Sequence, residues 1–273
     1  MSQPDAQLAQ YAAAGLTACG LLVTVGARFI FPARVPLHTI TAKNPVVWAP
    51  RGFGGVGKGG KSPVFGIMWV LVYGGQLFYT LALLTATARG DVSSDVSMVF
   101  NHAACVYAAL LTSSLWSALF SEQKRWCFVL ASCVLVSTAL FSLVGAVVAK
   151  PFLSGRWWSD VGGAATSFLA GWATVAAGIG VGTVTRVYNR GVDNDYADGD
   201  ERSFFPLVLS AGLALVAVLF ANPTLLLPLL ISTFFMRGFL SDWRIWAATL
   251  VCAVGMAISI AMIFVYRGTG LFW

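Results

Sequence analysis

Long apolar runs separated by short basic connections leave this chain few ways to fold. The runs cover residues 9–31, 63–88, 97–120, 126–149, 159–186, 203–221, 223–238 and 243–266. A helix crossing a bilayer needs about 20 predominantly apolar residues, and most of these runs reach that length. The run at 223–238 is short, contains Pro223 and Pro228 and ends at Arg237. It reads as either a short span or a re-entrant segment, which makes the count seven or eight. Only 10% of the 273 residues are charged and the mean hydropathy is +0.79. A soluble domain carries about a quarter charged residues, so too few charges are present to coat a water-soluble body. The fold class predicted is an all-α, polytopic integral membrane helix bundle.

The net charge of +6 sits in the connections. There it orients helices and meets lipid headgroups, and nothing in its distribution points to nucleic acid. With eight spans, thirteen Lys and Arg fall on one side and four on the other. The positive-inside rule then places the first loop, 32–62, on the cytoplasm-equivalent side and the N-terminus opposite. Residues 1–9 contain no Lys or Arg, so the basic start of a signal peptide is missing. Leu16-Thr17-Ala18-Cys19 resembles a lipoprotein cleavage box, but the apolar run continues to Phe31. A retained first helix is expected.

Motifs for chemistry are sparse. Gly55-Val56-Gly57-Lys58-Gly59-Gly60-Lys61-Ser62 fits the phosphate-loop pattern letter for letter. Such a loop works by joining a buried strand to a helix in an α/β domain, and a connection of this length cannot build one. A cationic loop near headgroups is the reading kept. The acidic loop 190–202 lacks the ligand spacing of a calcium site, since Ala197 and Asp198 stand where an oxygen ligand and a glycine are needed. Five cysteines without a CxxC pair read as apolar packing residues. The two histidines, His38 and His102, have no neighbouring ligand cluster. No metal site, cofactor or catalytic constellation emerges, and a non-enzymatic protein is expected.

No charge lies at a span centre. The interior polar groups are mild: Tyr73, Gln76, Tyr79, Asn101, Tyr107, Thr112, Ser113, Ser114 and Thr174. Groups of this kind bond helix to helix, or orient one largely apolar ligand. Of the ten tryptophans, Trp126, Trp157, Trp158, Trp243 and Trp273 sit at segment ends, as an aromatic belt requires. Trp69, Trp116 and Trp172 lie within helices, where rings pack a core or wall a site for a flat ligand.

Around these three tryptophans the chain resembles the translocator protein family, also called the tryptophan-rich sensory proteins. Val64, Phe65, Trp69 and Tyr73 match the family's V-F-x-x-x-W-x-x-L-Y second helix. Leu115-Trp116-Ser117-Ala118-Leu119-Phe120 is similar to the W-S-x-L-F ending of its third, and Trp172 begins a W-x-x-x-A segment like that of its fifth. Trp48-Ala49-Pro50 resembles its first-loop W-x-P element. Ser113 and Gly180 stand where the family usually has asparagine. Val184, Tyr188 and Arg190 fit a sterol-contact pattern, and a helix end snorkelling to headgroups explains them equally.

The resemblance implies a five-helix core over 1–189, the acidic loop 190–202, and additional helices over 203–273. It implies binding, and with it transport or sensing, of a hydrophobic planar ligand such as a porphyrin or a sterol. Trp48, Phe65, Trp69, Tyr73, Tyr107, Ser113, Trp116 and Trp172 would line the site. The Gly178-x-x-x-Gly182 spacing allows close helix approach within the bundle or in a homodimer. The alternative is an accessory subunit of a larger membrane complex, with the fold kept and the ligand site lost.

Overall fold

The computed structural model describes residues 3–30, 64–121, 125–190, 204–237 and 243–269. It describes their side chains except at positions 28, 64–66, 120–121, 125, 128, 179–190, 204–207, 234–237 and 244–245. Among the described residues there are eight α-helices and no strand: α1 Gln3–Ile30, α2 Val64–Ala88, α3 Val96–Ser121, α4 Arg125–Ala149, α5 Trp157–Arg190, α6 Phe204–Leu219, α7 Leu227–Arg237 and α8 Trp243–Thr269. Stretches of α1, α2, α3, α4 and α8 are long and apolar enough to cross a membrane. The chain is a multi-pass all-α bundle.

Helices α1 to α5 form a closed ring. α1 packs on α2 and α3, α3 on α4, α4 on α5, and α5 returns to α2. Helix α8 packs on α6 and α7, and α6, α7 and the 3-10 turn between them pack against the outside of α5. α5 therefore has protein on both sides, which accounts for its many small residues: bulk there would force its neighbours apart. At Gly162 a Cβ would run into the Tyr79 ring, and at Gly171 into the Leu225 carbonyl oxygen with Pro228 close by. Only glycine lets the C-terminal group seat this closely on the ring.

The run at 223–238 does not form one span. It divides into a 3-10 turn, Pro223–Leu225, and the 11-residue α7. At 1.5 Å per residue α7 is about 16 Å long, roughly half a hydrocarbon core. α6, with 16 residues, is also short of a span. The bend between them meets its own backbone needs. Ala221 N donates to Val218 O and Asn222 N to Ala217 O, with Ala221 at φ 48°, the Schellman ending of a helix. Asn222 is fully buried, and its Nδ2 donates to Ser167 Oγ on α5 at 2.7 Å. Irregular backbone at membrane depth is tolerated where protein covers it, and α5 provides that cover.

Hydroxyl pairs tie the ring together. Thr17 meets Thr80 across α1 and α2 at 3.1 Å, Ser114 donates to Thr24 across α3 and α1 at 3.0 Å, and Thr112 meets Thr138 across α3 and α4 at 2.8 Å. Each such bond contributes about 0.6 kcal/mol in a membrane interior. Much of the interior polarity is thus interhelical bonding.

One end of the ring is closed by a charged network. α2 ends in a second Schellman turn, in which Gly90 at φ 76° redirects the chain and Asp91 N donates to Ala86 O. The turn presents Asp91 to the 150–156 connection. Arg156 Nη1 bonds Asp91 Oδ1 at 3.0 Å and Val92 O at 2.8 Å, and Trp158 Nε1 donates to Asp91 Oδ2 at 3.0 Å. Gln10 of α1 joins in, its amide donating to Thr87 Oγ1 and Asp91 O and accepting from Ser93 N. Trp158 is consequently only 1% exposed, which corrects its reading as a belt residue. An indole donor held by a carboxylate inside the bundle has no need of the headgroup region. Trp126, Trp157 and Trp243 are exposed, as a belt requires.

Candidate functional site

Helical geometry decides which groups share the axis of the ring. Successive residues of a helix turn by 100°. On α2, Tyr79 faces His102 of α3 and Gly162 of α5, and Gly75 faces Ala165 of α5. Thr80 and Thr87 face Thr17 and Gln10 of α1. Gln76 lies between these two faces and therefore points into the ring. On α3, Tyr107 and Leu110 pack on Gly20 of α1, while Cys105 and Thr112 face Gly145 and Thr138 of α4. Between them lie His102 and, three turns on, Ser113, both on the side toward the axis.

Two constructions bound this axial region. At one level His102 joins three helices: Nδ1 is 3.0 Å from the Tyr79 hydroxyl and Nε2 is 2.8 Å from Thr166 Oγ1. Each hydroxyl can donate or accept, so either tautomer of a neutral imidazole is satisfied. At the other level the tryptophans meet. Trp69 of α2 stacks on Trp116 of α3 with centroids 6.1 Å apart, meets Trp172 of α5 edge-on at 6.1 Å, and lies 5.5 Å from Tyr73. The spacings fall within the favourable range for aromatic pairs.

Between these levels the described residues contain no Lys, Arg, Asp or Glu that is buried. Two polar side chains there are fully buried and lack hydrogen bonds. Among the described residues neither Oε1 nor Nε2 of Gln76 has a partner, nor does Ser113 Oγ. A buried group left in this state costs about 1–3 kcal/mol. A serine can turn to the carbonyl four residues back. A glutamine amide in mid-helix has no such local outlet, so Gln76 is the stronger anomaly.

The chain matches no known family, no curated protein and no solved structure.

The residues singled out from the sequence separate into groups. Trp69, Tyr73, Trp116 and Trp172 come together, and Ser113 lies one turn from Trp116 on α3. Tyr107 does not join them, because its ring packs against Gly20 on the α1 side. Phe65 is in the first turn of α2 with its side chain outside the described residues, and Trp48 lies outside them altogether, as do the phosphate-loop-like Gly55–Ser62 segment, the acidic loop and His38. The loop-end residues Val184, Tyr188 and Arg190 lie in α5 with side chains outside the described set. Gln76 stood among nine mild interior polar groups in the sequence. Nothing in its local pattern set it apart, because its isolation arises from the other four helices.

Proposed function

We propose that the ring of α1 to α5 binds a flat, largely apolar small molecule in its interior, beside the tryptophan cluster. The observation that carries this reading is the pair of buried polar side chains left without hydrogen bonds among the described residues, Ser113 one turn from Trp116 and Gln76 two turns along α2 from Trp69. An apolar wall with a few convergent polar groups is the usual make-up of a small-molecule site. The resemblance to the translocator family suggests a tetrapyrrole or a sterol. It also suggests a non-enzymatic role in transport or sensing. The asymmetry of Lys and Arg between the connections favours the 32–62 loop on the cytoplasm-equivalent side.

A second reading has its own support. The Trp69 and Trp116 rings lie 6.1 Å apart, whereas a flat ligand between two rings needs about 7 Å, twice a van der Waals contact. A cluster closed on itself fits an accessory subunit of a membrane complex. Under the binding reading, the ligand lies beside the cluster or the rings part to admit it.

Titration of the purified protein with protoporphyrin and with a fluorescent sterol, read by tryptophan quenching, tests the proposal. Saturable quenching that weakens in Trp69→Phe and Trp172→Phe is the expected result. Quenching that never saturates, or is unchanged in both variants, would sink it. Stoichiometric partners retained in mild detergent would then favour the subunit reading.

A further inference from the structure

We infer that Gln76 selects a neutral ligand whose polar end both donates and accepts a hydrogen bond, as an alcohol or a lactam does. The inference rests on the binding reading above and narrows its ligand class.

A glutamine side chain offers two N–H donors and a carbonyl acceptor. In Gln76 both ends are buried and neither is bonded. A group that only accepts, such as an ether, an ester or a carboxylate, can engage Nε2 but leaves Oε1 stranded. A group that only donates does the reverse. An alcohol hydroxyl or a lactam edge can engage both.

Charge narrows the choice further. No Lys or Arg among the described residues is buried, and Arg156, which is partly buried at the rim, is already committed to Asp91 and Val92. His102 has hydroxyl partners on both ring nitrogens. A carboxylate brought to Gln76 would therefore lie in a low-dielectric interior without a counter-charge among the described residues, which is strongly unfavourable. An acidic buried residue that could pair with an ammonium is equally absent from the described set. The polar end that reaches Gln76 is uncharged.

Position sets how the rest of the ligand lies. Gln76 is seven residues from Trp69 on the same face of α2, about 10 Å along the axis. Tyr79 and its bond to His102 close the region on the other side. The apolar body of the ligand therefore extends from Gln76 toward the tryptophans, and the core side chains packed along that path, Val72 among them, have to part to admit it.

Three flat probes that differ only in their polar end test this: 1-pyrenemethanol, its methyl ether and 1-pyrenecarboxylate. Each is titrated into the full-length protein in nanodiscs, read by energy transfer from tryptophan and corrected with empty discs. In the wild type the alcohol should bind about tenfold more tightly than the ether, the worth of one buried hydrogen-bonding group left unpaired. The carboxylate should bind more weakly still. Gln76→Met keeps the length of the side chain and should bring alcohol and ether within about twofold.

Equal affinities for alcohol and ether in the wild type overturn the inference without recourse to any variant. A ranking that persists in Gln76→Met also overturns it. If all three probes bind alike, the selectivity of Gln76 fails and binding by the bundle stands. If none binds saturably, both fall together.

Discussion

Two buried glutamines in this protein should respond to the same substitution with opposite sign. Gln10 is 1% exposed, and its side chain makes three bonds, at 2.9 Å to Thr87 Oγ1, 3.1 Å to Asp91 O and 3.1 Å from Ser93 N. Gln76 is equally buried and its side chain makes none. Methionine has nearly the same length and carries no strong polar atom. Gln10→Met leaves the Ser93 N–H and two acceptors without their partner, a loss of about 2 kcal/mol. Gln76→Met removes two unsatisfied atoms from an apolar interior and should stabilise the ligand-free protein by about 1–2 kcal/mol. This figure takes the lower half of the desolvation range, because helices separated within a bilayer also find partners. At roughly 2–4 °C per kcal/mol, the two variants should melt on opposite sides of the wild type, several degrees apart. The assay is tryptophan-detected melting of detergent-purified protein, with mass spectrometry to establish that no ligand has co-purified. If Gln76→Met melts as far below the wild type as Gln10→Met does, the Gln76 amide is satisfied in solution. The reasoning about its isolation would then be refuted. The predicted gain in stability with loss of ligand selectivity is the trade-off expected where a site is maintained against the stability of the fold.

Three further outcomes follow from the packing. Gly171→Ala should lower the melting temperature, by about 1–3 kcal/mol of overpacking against the Leu225 carbonyl; Gly74→Ala, with nothing within 4 Å of the new methyl, should be neutral or stabilising, and a silent Gly171→Ala would show that the C-terminal helices do not seat on α5 this closely. Asp91→Ala should cost about 2 kcal/mol by stranding the Trp158 indole N–H, with a shift in tryptophan emission, whereas Arg156→Ala should cost about 1 kcal/mol or less because the ion pair is partly exposed; equal costs would refute the ranking. Tyr79→Phe and Thr166→Val should each lower stability by about 1 kcal/mol, and the double variant should depart from additivity because both act through His102; strict additivity in melting would contradict a shared imidazole.

The helices were legible because a bilayer imposes one strong rule on sequence: an apolar run long enough to cross must satisfy its own backbone. The predicted and observed segments differ mainly at their ends. α1 begins at Gln3 rather than at residue 9, because Asp5 sits favourably in a first turn and the polar start of the helix is tied to the end of α2 by Gln7, which donates to Thr87 O, and to the connection after it by Gln10, which donates to Asp91 O. The segment at 223–238 was ambiguous because Pro223 and Pro228 permit both a span and a bend. The bond from Asn222 to Ser167, 55 positions away in the chain, and the close seat at Gly171 are features of the bend as it packs on α5. The site was legible in part. Trp69, Trp116 and Trp172 stood out as tryptophans away from segment ends, where a belt would not put them. Trp158 misled, since its place at a helix end says nothing about the carboxylate of Asp91 that holds it inside.

By itself, then, the sequence determined the membrane class, the helical secondary structure and the candidate rings, since each follows from composition and spacing along one segment. Only the tertiary structure decided which helices close the ring, that Tyr107 faces α1, that Trp69 stacks on Trp116 and meets Trp172 edge-on, and that Gln76 and Ser113 are left without partners among the described residues. Hydrogen-bond satisfaction depends on what every other helix presents at the same depth, and a linear pattern does not contain it.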